Sequence, residues 1–322
     1  MPAQAMPQLP GHERPRHLVH CSRSTIHFSL LSATTSAATG YIQESVSADE
    51  KALPISSSAE PAFPEEQRRL FYEVLELMNS RGVPYAVSGA FALHEHTGIW
   101  RDTKDLDLFM TDPWAALALT YLLEDGFECE ICDPVWLAKA HRGEYYVDII
   151  TGMSNAAIVV NDTWIERARP AEVFGSKVRV LAAEELIASK LFVTRRERYD
   201  AADICHVLHG ARGRLDWPRL LSLAGEHWEL LFSVMVLYHY IYPAGVDSVP
   251  AEIWDMLQQR FGNELHAHGE LMKTFRGSLI DDKMFAIDVA EWGHEDQLSR
   301  NRERRLQSGG IRCELPPRKS AA

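Results

Sequence analysis

"TKDLDLFM", residues 103–110, is the stretch on which the reading of this chain turns. Leu106, Leu108 and Met110 alternate with Asp105, Asp107 and Phe109. Side chains two apart on a strand share a face, so two carboxylates stand side by side on an otherwise apolar strand. Unit charges about 4 Å apart repel by roughly 4 kcal/mol at an effective dielectric near 20. That is a large fraction of a domain's stability. Either the strand lies at an edge with both groups in water, or something positive sits between them.

The surrounding chain points to an α/β unit. "PEEQRRLFYEVLELMNSRGVP" (64–84) sets Leu70, Val74, Leu77 and Met78 at helical spacing. Pro64 and two glutamates suit its start, and Gly82 with Pro84 its end. A short strand "YAVS" (85–88), a glycine, a helix "AFALHEH" and a loop lead into the charged strand. A helix over about 113–124 follows, then strands near 127–131 and over 145–151, and a hairpin over 172–181. From Ala183 the pattern turns helical. The expected organisation is a disordered N-terminal extension over 1–62, rich in Ala, Ser, Thr and Pro. A mixed-sheet α/β core flanked by helices then covers 63–182, a helical region packed on it 183–298, and a flexible basic tail 299–322.

Composition limits the function. The 322 residues are 46% hydrophobic and 24% charged, with a net charge of −12, as in ordinary soluble domains. The acidic balance speaks against stable duplex DNA binding. The apolar stretch 229–243 is shorter than the roughly 20 residues of a spanning helix, so it reads as a buried helix and no membrane partner is expected. Five scattered cysteines fit a reducing cytoplasm better than a disulfide framework.

Chemistry gathers around the charged strand. "SGA" (88–90) brings small residues to a helix start, where a backbone can approach a phosphate and free amides face an anion. Asp105 and Asp107 share one strand face, and Asp148 stands on a later apolar run among Val147, Ile149 and Ile150. Three converging carboxylates beside a glycine turn suit phosphoryl transfer, with Mg²⁺ bridging carboxylates and the phosphates of an NTP. Other clusters carry less. "CEIC" (129–132) has no second pair at zinc spacing, and "HVLH" (206–209) reads as ordinary helix histidines. Arg195, Arg196, Arg198, Asp200 and Asp203 read as helical ion pairs at i, i+3 and i+4.

"YAVSGAFALHEHTGIWRDTKDLDLFM" resembles the signature of the DNA polymerase beta-like nucleotidyltransferase superfamily. More narrowly, "RDTKDLDLF" followed by "EELIASKLFVTRRERYDAADICHVL" is similar to the bacterial minimal nucleotidyltransferases, a group that includes antitoxin-like proteins and abortive-infection toxins. "DDKMFAIDVAEWGHED" resembles the end of a bacterial subgroup. The resemblance covers about residues 68–210. It implies a nucleotidyltransferase-like fold, with Asp105, Asp107 and Asp148 as metal ligands and catalytic carboxylates. Ser88 and Gly89 would take the place of the family's small-residue pair, with serine where glycine is usual. Arg101 and Thr103 could contact phosphate, or Arg101 could pair with Asp105. Lys190 could face the nucleotide, or be a solvated helix lysine. The implied activity is Mg-dependent transfer of NMP from an NTP, which serves as ATP or another nucleotide, to a hydroxyl on a protein, an RNA or a small molecule. The alternatives are an idle binding module of antitoxin type and a drug-modifying enzyme for aminoglycosides or lincosamides.

Overall fold

The computed structural model describes residues 61–101, 103–195, 198–266 and 275–315. Most of the expected N-terminal extension, residues 1–60, lies outside them. The first helix, α1 (Glu65–Ser80), begins behind Pro64 with Glu65 and Glu66 in its first turn, where acidic side chains favour the helix dipole. Leu70, Phe71, Val74, Leu75 and Met78 form its buried stripe. Each contributes about 1.5–3 kcal/mol of burial energy. Phe63, just before the helix, packs with Phe91, Trp100 and Phe174.

The chain continues through β1 (Ala86–Val87), α2 (Gly89–Thr97), β2 (Asp105–Phe109), α3 (Asp112–Glu124), β3 (Glu128–Asp133), β4 (Leu137–Arg142) and β5 (Tyr145–Ile150). Next come α4 (Asp162–Arg167), β6 (Arg169–Val173) and β7 (Ser176–Val180). Phe174 and Gly175, both with positive φ, make the two-residue turn that matches the twist of a hairpin. The strands form one seven-stranded mixed sheet in the order β3-β4-β5-β2-β1-β7-β6. The pairs β2–β5 and β1–β7 are parallel. The charged strand β2 is therefore central, not an edge, and α1 and α3 pack against the sheet. Strand β4, "LAKAHR", is absent from the sequence reading: its alanines carry little strand preference, and its pairing with β3 and β5 decides its conformation.

The helical region comprises α5 (Ala183–Lys190), α6 (Ala201–Ala211), α7 (Trp217–Ala224), α8 (Trp228–Ile241), α9 (Ala251–His266), α10 (Gly277–Ile280), α11 (Ala286–Ala290) and α12 (Gln297–Ser308). Helices α2 and α6 pack closely because Gly210 has no side chain: a Cβ there would lie 2.5 Å from the His96 carbonyl oxygen. By length and composition Trp217–Ile241 could cross a membrane. The chain is nevertheless broken at Gly225 (φ 52°) between α7 and α8. Trp228, Leu231, Val234, Met235 and Tyr238 of α8 are buried.

The expected flexible tail is corrected for residues 299–315. Its arginines read as solvated charge, but α12 docks two of them. Arg302 donates to both carboxylate oxygens of Asp133 and to the Ser154 carbonyl. Arg305, 8% exposed, holds both oxygens of Asp112 and reaches Thr151 Oγ1. Asp112 also accepts the Gly310 amide at 2.9 Å. Residues 316–322 lie outside the described residues.

Removing one partner of a buried pair leaves the other charge uncompensated. Arg305→Met should therefore lower unfolding free energy by about 2–3 kcal/mol, at or just below the roughly 3–5 kcal/mol of a fully buried pair because Asp112 is partly solvated. Urea unfolding should show an earlier midpoint with an unchanged slope. An unchanged midpoint would mean that α12 is not held by this pair.

Candidate functional site

The site is built on the parallel pair β2–β5, whose register sets Asp107 opposite Asp148 and Asp105 opposite Tyr146. Opposed residues share a sheet face, so all three carboxylates converge. One oxygen of each of Asp105, Asp107 and Asp148 lies within 4.8 Å of the others. Asp148 is buried and the other two half-buried. Burial, then the charges of Asp105 and Asp148, push the Asp107 carboxyl up to about 7. Burial also raises Asp148, against the opposing pull of Lys139. Three hard oxygen donors whose negative charge is only partly compensated fit a divalent cation.

Local chemistry fixes each carboxylate differently. Thr103 Oγ1 donates to Asp105 Oδ1 at 2.8 Å. Gly89, at φ 58°, makes room for Asp107: a Cβ there would stand 1.9 Å from Asp107 Oδ2. The glycine thus seats a carboxylate, a role that the sequence reading gave to phosphate approach. Lys139 Nζ, on β4 opposite Asp148, donates to Asp148 Oδ1 at 2.5 Å.

The other expected residues are placed as follows. Ser88 is buried and its amide donates to the Asp107 carbonyl at 2.9 Å. That N–H is spent on the sheet, and the open amides of this turn begin at Gly89. Arg101 pairs with Asp203, at 2.7 Å, and not with Asp105. Lys190 is neither solvated nor in contact with the three carboxylates. Its buried ammonium donates to Asp200 at 2.8 Å and Asp203 at 3.0 Å. Arg198 grips Asp200 with two donors, and with Lys190 it partly offsets the charge around Asp107.

In place of the helical ion pairs expected over 195–203, Arg198 holds Asp200 two residues away, and the other contacts come from separate elements. Arg195 pairs with Asp282, and Arg196 lies outside the described residues. Sequence reasoning passed over Lys139 and read Arg198 only as part of a helical ion pair. The alternation of Lys139 and His141 with Ala138 and Ala140 was the available signal for the first; nothing local marks the second. Among the described residues, Cys129, Cys132 and Cys205 form no disulfide. His209 stacks on Tyr242.

Residues 67–220 match the family described as "Nucleotidyl transferase of unknown function (DUF2204)". Over these residues the chain is similar to that nucleotidyl transferase family. No curated protein matches the chain. Similar solved structures include the antibiotic-resistance factor ANT(2'')-Ia, with 16% identity and a TM-score of 0.38, covering 54% of this chain and 97% of that one. The lincomycin-bound lincosamide antibiotic adenylyltransferase LnuA has 19% identity and a TM-score of 0.33, covering 45% and 96%. A nucleotidyltransferase-like antigenic protein of Paracoccidioides brasiliensis has 15% identity and a TM-score of 0.38, covering 59% and 96%.

The raised Asp107 carboxyl has a pH signature. Its folded pKa, about 7, exceeds the roughly 3.9 of an unfolded aspartate. Over that interval the folded state keeps a proton that the unfolded state has released. The Asp107 contribution to stability is therefore complete below about pH 4 and lost as pH rises through 7. In chelator-treated protein, wild-type stability should fall across this window relative to Asp107→Asn, measured by denaturant unfolding at each pH. Parallel curves for the two proteins would show that Asp107 does not titrate in this way.

Proposed function

We propose that this nucleotidyltransferase is Mg-dependent and moves a nucleoside monophosphate from an NTP to a hydroxyl acceptor. The observation that supports this is the convergence of Asp105, Asp107 and Asp148 within 4.8 Å on two central strands. An arrangement carrying such mutual repulsion has no evident use in the fold, which weighs against an idle binding module. Asp105, Asp107 and Asp148 would hold the metal, which when bound offsets charge on the attacking and leaving oxygens.

The chain's own groups supply the rest. The acceptor oxygen attacks the α-phosphorus, the bond to the bridging oxygen breaks, and pyrophosphate leaves. Asp148, with Oδ1 on Lys139, takes the hydroxyl proton at its other oxygen. The amides from Gly89 onward, at the N-terminus of α2, favour the triphosphate's negative charge. Arg198 offers a guanidinium on the same side, and Lys190 fixes Asp200 and Asp203 beneath it. A cytoplasmic setting, where Mg-NTP is abundant, suits this chemistry. Protein, RNA and small-molecule acceptors all present the required hydroxyl.

Positioned proton transfer is worth about 10²- to 10⁴-fold in rate. Asp148→Asn should therefore bind Mg-NTP within about threefold of wild type while transfer falls at least about a hundredfold. Transfer at the wild-type rate would remove Asp148 from the chemistry. The acceptor is found by incubating the full chain with each labelled NTP and Mg²⁺ against total RNA, total protein and a panel of aminoglycosides and lincosamides. Label should enter one class; no label in any class would favour the binding-module reading.

A further inference from the structure

Lys139 occupies a position that the transfer chemistry alone does not explain. It lies on β4 directly opposite Asp148, and Asp107 lies directly opposite Asp148 on the other side. A row Lys139–Asp148–Asp107 thus crosses three neighbouring strands. The ammonium sits 2.5 Å from Asp148 Oδ1 and 3.9 Å from the centroid of the Tyr146 ring. Its side chain is 22% exposed, so it is gripped between a carboxylate and an aromatic face and does not sweep through solvent.

We infer that Lys139 is a positioning residue serving as the built-in counter-ion of the carboxylate cluster: it holds Asp148 in place before a divalent ion arrives and is the charge against which that ion binds. The inference rests on the proposed metal site. With all three carboxylates ionised, as a bound dication would hold them, the cluster carries three negative charges, and one bonded ammonium lowers the total to two, the charge that one dication neutralises. The ammonium also claims Asp148 Oδ1, one of the oxygens open to a metal.

Two effects of opposite sign follow. Without Lys139 a divalent ion should bind more tightly, because a nearby cation no longer repels it. Transfer should nevertheless slow, because Asp148 loses the contact that fixes its orientation toward the acceptor. A lysine that merely braced the sheet would not improve metal binding when removed.

The test is Mn²⁺ binding to the full chain without nucleotide, followed by calorimetry. Lys139→Met and Lys139→Gln should bind Mn²⁺ at least about fivefold more tightly than wild type, whereas Lys139→Arg, which keeps the charge, should stay within about twofold. Glutamine serves as the deciding variant should methionine prevent cooperative melting. Unchanged or weaker Mn²⁺ binding in the folded neutral variants overturns the role of Lys139 and leaves the metal site standing. Absence of Mn²⁺ binding by wild type, or binding indifferent to Asp107→Asn, overturns the metal site itself and this inference with it.

Discussion

The mutual repulsion of three carboxylates on two neighbouring strands is the constraint to which the surrounding structure answers. Because β2 and β5 are central in the sheet, the charges cannot simply turn into water. The fold meets this with local adjustments. Thr103 donates to Asp105, Lys139 pairs with Asp148, and Gly89 clears the space into which Asp107 turns. Asp107 has the least direct support. Its carboxyl is pushed up to about 7, as expected where burial and like charges act together.

The cations arranged around this cluster do not act alike. Lys139 touches a carboxylate of the cluster, so its effect is short-ranged and specific to Asp148. Lys190 and Arg198 are each bonded to Asp200, and Lys190 and Arg101 to Asp203, so three cations and two carboxylates leave one net positive charge beside the cluster. Most of their charge is spent on these partners, so the group reduces the repulsion around Asp107 without abolishing it. The remaining imbalance is what a divalent ion and a triphosphate could exploit, the one bringing positive charge and the other bringing groups for Arg198 and the α2 amides.

What was legible in the sequence was local. The spacing of Asp105 and Asp107 places them on one face whatever the rest of the chain does. An isolated aspartate among Val147, Ile149 and Ile150 is conspicuous for the same reason. The mixed α/β unit and the course of α1, α3 and β5 followed from such patterns, and the nucleotidyltransferase-like fold from the resemblance that the motifs carry. Contacts made at long range were not legible. Arg101 finds Asp203 and Arg305 finds Asp112, 102 and 193 residues away, and no periodicity reports such pairings. Strand β4 was missed because alanine, lysine and histidine have no strong preference for a strand, so its pairing, and with it Lys139, depended on neighbours. The basic stretch after residue 299 misled for a related reason: arginine density describes a solvated surface equally well.

The C-terminal helix bears on the site through mechanics, not charge. Asp112 begins the helix that follows β2, and Thr151 directly follows β5. Arg305 contacts both residues, so α12 ties together the ends of the two strands that carry the carboxylates. Asp107 lies five residues before Asp112, a span of about 16 Å at roughly 3.3 Å per strand residue. Arg305 is moreover already neutralised by Asp112. Its field at the cluster is therefore small. What it transmits is the relative placement of β2 and β5, on which the register of Asp107 with Asp148 depends.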